Sequence, residues 1–325
     1  MDEFGNLLWD MWPDTDSDDD DIVPLGRERR QYTLHVRVDH LNKWDELDFF
    51  CRFRLRKETV VQLLNMILPK LENCTERSRN ITPIEKLLIG LRFYALGTML
   101  ISVGDFAGVC KATASVTVAL VSEAIASLRP QIIRVQVDPM LNCIGIGVSS
   151  AELKFLNIVA QWPGSAHDQT IWNNSVLRMK FERGDFQNHI LVADSGYGVS
   201  NFVTTPLLRC NTPVEELYNE SIIRTRNTVE RLFGVWKRRF PVLSLQMRIK
   251  LETIQDVIVA TAVLQNIAMD AKEDLPPIDP EIQIQIDLKE NENERQMPPI
   301  HQDAVNNVRA ALISDYFTQL YENNN

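Results

Sequence analysis

Lysine and arginine are missing from the first 26 residues of this 325-residue chain, which hold nine Asp or Glu instead. Nearly all of the formal net charge of −10 therefore sits in that segment, and the remainder is close to neutral. A pI of 5.1 excludes nothing about a polyanionic partner, because local charge decides such contacts. No two of the five cysteines (Cys51, Cys74, Cys110, Cys143, Cys210) form a C-x-x-C pair, which argues against a zinc site or a disulfide framework and for a reducing compartment. The histidines show no H-x-x-x-H spacing, so a histidine metal site has little support. The start, MDEFGNLLWD, lacks a basic region and a long apolar core, so it does not read as a secretory signal. The most apolar window, IEKLLIGLRFYALGTMLISVG, contains Glu85, Lys86 and Arg92, which fits a soluble amphipathic helix better than a membrane span.

What is present falls into four parts. Residues 1–40 form an acidic tail around DTDSDDDD, expected to be disordered; it either stays solvated, binds a basic partner or folds back on a basic patch. Residues 41–133 read as helices. Val60, Leu63, Leu64 and Ile67 share a helical face, and Thr82, Pro83 and Glu85 spell a capping box with proline at the first helical position. Gly97 is the expected stop. Two more helices, over SVGDFAGV and KATASVTVALVSEAIASL, complete a three-helix unit with tight breaks, the pattern of a DNA-contacting helix-turn-helix. Over 134–270, LNCIGIGV, ELKFLNIVAQW and HILVADSGYG read as strands, and TIWNNSVLRMKFERG, 221–240 and 252–270 as helices, which predicts an α/β core behind the helical domain. Residues 271–325 read as a loose linker to 300 and a last helix.

Two carboxylates stand out. Asp194 ends an apolar run, where functional groups of α/β sheets gather; it fits either a ligand for a hard divalent cation or an Asx-turn cap. Glu230 is the one acid among eight Lys/Arg of residues 224–250. On a helical wheel Val229, Leu232, Phe233, Trp236 and Phe240 form the core face, while Arg224, Arg231 and Arg238 line the opposite side at seven-residue spacing. Glu230 sits at the border beside Gly234, either as a ligand aimed at a strand end or as a surface ion pair with Arg226 or Lys237. Nucleic-acid phosphoryl transfer joins these readings. It uses carboxylates from different elements around two metal ions, with Arg224, Arg226, Arg231, Lys237, Arg238 and Arg239 here available to grip phosphates.

The motifs WPGSAHDQTIWNNS, ILVADSGYG, NTVERLFGVWKRRFP and VLQNIA resemble those of Harbinger transposase-derived nucleases, the PIF/Harbinger group of DDE transposases, in the same order and over roughly residues 45–270. That resemblance implies an RNase H-like core, a divalent cation (Mg²⁺ or Mn²⁺), a DNA substrate, a Myb-like partner protein and a nuclear location, with the cytoplasm as a second compartment; no membrane is implied. By motif, Asp194 matches the second catalytic aspartate, Glu230 the catalytic glutamate, and Asp168 a position that shapes the site. The family's G-x-x-D-C/G-T-H strand, which carries the first aspartate, has no counterpart between LRPQ and WPGS. Asp138 is the only aspartate in that gap, without the Thr-His and followed by Pro139, which disturbs an interior strand. The expectation is a truncated RNase H-like domain whose sheet lacks a core strand. Its hydrolytic activity is expected to be weak or lost, leaving a DNA-binding or protein-interaction module as the alternative.

Overall fold

The computed structural model describes residues 37–72, 81–97, 99–134, 140–144, 147–160, 167–186, 189–277, 280, 284 and 307–324, with the backbone alone at 140–144, Asp168, Asn307 and Asn324. The acidic run, Asp138, most of the WPGSAHD loop and most of the expected linker lie outside the described residues.

The first half is helical: α1 (His40–Lys43), α2 (Glu46–Phe53), α3 (Lys57–Leu71), α4 (Pro83–Leu96), α5 (Leu100–Ala107), α6 (Lys111–Ala126) and α7 (Arg129–Ile132). The capping box at the start of α4 forms as expected, with Thr82 accepting from the Glu85 N–H and Glu85 reaching back to the Thr82 N–H. Gly97 ends α4 at φ 61°, where a Cβ would lie 2.8 Å from the Val242 backbone, so no other residue fits. The stretch Lys111–Ile132 has the length and apolarity of a membrane span, but α6 packs as a core helix against α4 and a later helix, α11.

The second half carries five short strands: β1 (Met140–Ile144), β2 (Gly147–Ser149), β3 (Phe155–Ile158), β4 (Ile190–Val192) and β5 (Val203–Thr204). Between β3 and β4 come α8 (Asp168–Asn173) and α9 (Val176–Glu182); after β5 come α10 (Pro213–Arg239), α11 (Leu251–Asp270), α12 (Asn307–Ala311), a π-helical segment Leu312–Phe317 and α13 (Thr318–Asn324). The sheet order is β3-β2-β1-β4-β5. Strand β2 pairs antiparallel with both neighbours, and β1-β4 and β4-β5 are parallel, so β2 alone runs against the rest.

Three expectations need correction. LNCIGIGV is not one strand: it splits into β1 and β2, with Ile144 opposite Gly147, and thereby fills the central slot beside β4. Gly147 suits that role because a Cβ there would press within 3.2 Å of the Phe155 ring. The expected single helix after the WPGSAHD loop is two, because Ser175 breaks it and caps α9 by accepting the Arg178 N–H. The long helix starts eight residues earlier than the expected 221, at a second capping box in which Thr212 and Glu215 exchange bonds around Pro213.

One apolar core runs from Phe49 to Ala268 and includes Phe155 and Ile158 of β3 with Phe233 and Trp236 of α10. The helical part and the sheet thus share a core, and residue 134 marks a change of texture in the chain with no break in packing. The VLQNIA motif serves this joint. Asn266 accepts the Phe155 N–H at 2.7 Å and donates to the Phe155 carbonyl at 2.7 Å, so α11 holds β3 by its backbone.

Candidate functional site

Asp194 lies two residues beyond β4, 2% exposed. Its Oδ1 accepts the Gly196 N–H at 2.9 Å, which is the Asx-turn geometry. The turn continues with the Tyr197 N–H donating to the Asp194 carbonyl. A residue the sequence reading passed over fixes the far side of this loop. Gln169, next to Asp168 at the start of α8, accepts the Gly198 N–H at 2.6 Å. Nothing in the pattern of AHDQT marks Gln169 above its neighbours; only the fold brings α8 against the loop. Asp168 opens α8, and its side chain is outside the described atoms.

Helix α10 crosses the sheet. Near its start Tyr218 and Ile222 pack with Val192 of β4, and Tyr218 donates to the Thr205 carbonyl at 2.8 Å. Glu230 lies two turns past Ile222, about 12 Å along the axis at 1.5 Å per residue. It is half-buried, and its Oε1 accepts from Arg226 at 3.4 Å, an i,i+4 ion pair. Of the two readings of Glu230, the Arg226 pair is therefore formed. Beside it Gly234 is exposed, and a Cβ there would meet nothing within 4 Å, so the open space expected next to Glu230 exists.

The wheel sorts the α10 cations. Val229, Leu232, Phe233, Trp236 and Phe240 are buried, and Arg224, Arg231 and Arg238 are exposed on the other side. Arg224 pairs with Glu220 at 2.5 Å, and Arg238 donates through Nε to the Pro276 carbonyl at 3.1 Å. Arg239 is a correction. It is 0% exposed and cannot grip a phosphate. Its guanidinium donates to Gln265 Oε1, the Arg54, Glu273 and Asp274 carbonyls and the Glu273 carboxylate. Burial pulls it down to about 10, against the opposing pull of Glu273 upward, so it remains cationic at neutral pH. The segment expected to be a loose linker is accordingly tied down from Glu273 to Pro277, where Arg54 donates to the Pro277 carbonyl.

The three-helix unit α4–α6 forms, but α6 leaves only four of its sixteen residues exposed. It exposes Lys111, Ala112, Val116 and Glu123, one cation in all. A groove-reading face is therefore thin on α6, and the larger cationic face is on α10.

The sequence pattern described as DDE superfamily endonuclease matches residues 142–266, from the middle of β1 to the Asn266 that secures β3. Over that stretch the chain is similar to a DDE superfamily endonuclease domain. It is homologous to the protein called "Putative nuclease HARBI1": the human protein is 25% identical over 302 residues, covering 78% of this chain and 85% of that one. The Bos taurus protein is 24% identical over the same shares, and the Xenopus laevis protein 22% identical over 64% of this chain and 74% of its own. No solved structure matches the chain.

DDE nucleases generally use divalent cations. The donor set here does not fit one well. Among the described residues no three His, Cys, Asp or Glu side chains gather closely enough to hold an ion. Glu230 is engaged by a guanidinium, and β1, the strand parallel to β4 in the sheet centre, reads Met-Leu-Asn-Cys-Ile without an acid. In register, Asn142 is the β1 residue beside Val192, two before Asp194.

Proposed function

We propose that this chain is a Harbinger-type, nuclease-derived protein that binds the DNA backbone and has lost the carboxylate set required for hydrolysis. The observation that carries this reading is the central strand Met140–Ile144, which pairs with β4 and contains no Asp or Glu. An RNase H-like core is supported by the order β3-β2-β1-β4-β5 with β2 alone reversed. With Asp194 in its Asx-turn and Glu230 in its ion pair, two members of the expected triad have structural partners. Two carboxylates leave a two-cation mechanism without its first anchor, and no catalytic step is assigned to them.

Binding rests on the exposed stripe of α10. Arg224, Arg231 and Arg238 repeat every seven residues, about 10 Å apart along the helix. Guanidinium groups so spaced suit phosphates and carry no base readout. The nuclear location and the Myb-like partner belong to the same proposal and rest on the family resemblance.

The experiment is salt-dependent retention of a labelled duplex of arbitrary sequence. Neutralising Arg224, Arg231 and Arg238 together should flatten the slope of log affinity against log salt by about 2.7, at 0.9 per phosphate contact. Glu230→Gln should leave affinity unchanged or raise it. A slope untouched by the triple substitution refutes the assignment of the stripe.

A further inference from the structure

Three glycines lie inside the described helices, and the fold accounts for two of them. A Cβ on Gly90 of α4 would come within 2.6 Å of the Val121 side chain, and one on Gly104 of α5 within 2.6 Å of the Val109 carbonyl oxygen. Close packing demands glycine at both. Gly234 has no such reason. It lies inside the 27-residue α10 with helical backbone, is exposed, and would place a Cβ where nothing comes within 4 Å. An exposed glycine within a helix weakens it relative to alanine. Nothing inside the chain offsets that loss, which points to a surface outside it that must come close to the helix backbone.

The neighbours of the gap define that surface. Arg231 stands three residues before Gly234 and Arg238 four after, so two exposed arginines flank the gap along the helix. Helical side chains lean toward the N-terminus, which carries the Arg238 stem toward Gly234. The partner seen for its Nε is neutral, the Pro276 carbonyl at 3.1 Å. Glu230, four residues before Gly234, leans away by the same rule, and its Oε1 accepts from Arg226 at 3.4 Å. Arg226 and Lys237 have partners within the chain and add nothing to this face. A carboxylate on a protein side chain would reach the two arginines on its own stem, with no need of a bare helix backbone. A phosphodiester is fixed within a bulky strand and comes close only where the helix surface is empty.

We propose that the Gly234 gap seats one strand of duplex DNA, with its sugar-phosphate backbone against the backbone of α10 and Arg231 and Arg238 holding phosphates on either side. The proposal rests on the DNA-binding reading above and adds the point of closest approach. Gly234 donates no hydrogen bond to the strand, because its N–H is used in the helix ladder. Its contribution is the missing side chain, which lets both guanidinium groups reach the strand together. A side chain there holds the strand off and loosens both contacts at once.

The test measures urea stability and duplex affinity on the full chain for Gly234→Ala and Gly234→Leu. Gln319→Leu, on an exposed position of α13, controls for added bulk away from the gap. Both Gly234 variants gain helix propensity, so their urea midpoints should hold or rise. At about 100 mM salt, affinity for a labelled duplex should fall about threefold for Gly234→Ala and at least about tenfold for Gly234→Leu. The slope of log affinity against log salt should flatten in Gly234→Leu by up to about 1.8, two contacts at 0.9 each. Gln319→Leu should bind as the wild type does; an equal loss there overturns the proposal. Wild-type affinity and slope in Gly234→Leu overturn it too and leave the DNA-binding reading standing. If Gly234→Leu lowers the urea midpoint, Gly234→Ala decides: weaker binding by a chain at least as stable as wild type upholds the seat, and wild-type binding overturns it. Failure of the wild-type chain to retain duplex at low salt overturns the DNA-binding reading and the seat with it.

Discussion

Replacing Arg239 separates a structural cation from a phosphate-gripping one more sharply than any other change in the chain. The guanidinium is fully buried and makes five contacts: 3.3 Å to Gln265 Oε1, 3.0 Å to the Arg54 carbonyl, 3.4 Å to the Glu273 carboxylate, 3.5 Å to the Glu273 carbonyl and 3.0 Å to the Asp274 carbonyl. The Glu273 side chain is itself 0% exposed and also accepts the Arg56 N–H at 3.1 Å. Arg239→Met keeps the apolar stem and removes the charge, leaving a buried carboxylate without its counter-ion. Such a break costs about 3–5 kcal/mol, a large part of a total stability of about 5–15 kcal/mol. Adding Glu273→Gln removes the stranded charge, so the double variant should recover at least about 2 kcal/mol of that loss. Urea unfolding followed by tryptophan fluorescence measures both, and duplex retention below the transition shows whether binding survives. The reasoning is refuted if Arg239→Met unfolds at the wild-type midpoint while losing duplex binding.

Gly234 is exposed within a 27-residue helix with open space at its Cβ, so Gly234→Ala should stabilise the fold by about 0.5–1 kcal/mol in the same urea titration. Thr212 caps α10 by accepting the Glu215 N–H at 3.2 Å, and Thr212→Ala should cost about 1 kcal/mol. Asp256 titrates above its usual 3.8 because burial, and then the Glu123 carboxylate, disfavour its anion. A raised folded value means that folding favours the protonated form, so this stabilising contribution is full at pH below 3.8 and is lost as pH rises through the folded value. Asp256→Asn should therefore raise the melting temperature at pH 7 and flatten its fall between the two values; a lower melting temperature at pH 7 contradicts the burial argument.

Much of the helical half was legible because its signals are local. Thr82, Pro83, Glu85 and Gly97 fix both ends of α4 within a few residues, by side-chain-to-backbone bonds at the start and a left-handed glycine at the end. The same T-P-x-E spelling at 212–215 sets the start of α10, but the basic run downstream drew the reading to 221. Arg239 shows charge type overriding position. It lies seven residues after Leu232 and three after Trp236, on the core face by spacing, and its polarity concealed that. The partners that make its burial tolerable, Arg54 and Glu273, are 185 and 34 residues away and leave no trace in the local pattern. The β1–β2 hairpin was hidden because an apolar run does not state its own register, although Gly145 and Gly147 within it are turn signals. For the site, sequence placed Asp194 and Glu230 on the right elements. What each one touches, Gly196 and Arg226, depended on turn and helix geometry.

The central claim is a nuclease scaffold that binds without cutting. It is tested most directly by incubating the purified chain with supercoiled plasmid in Mg²⁺ and, separately, Mn²⁺, and reading retardation and nicking from the same samples. The account predicts salt-sensitive retardation with no nicked or linear product above that of the Asp194→Asn and Glu230→Gln variants. Nicking by the wild-type chain that either variant abolishes would contradict it, and would show that the carboxylates still assemble a working centre.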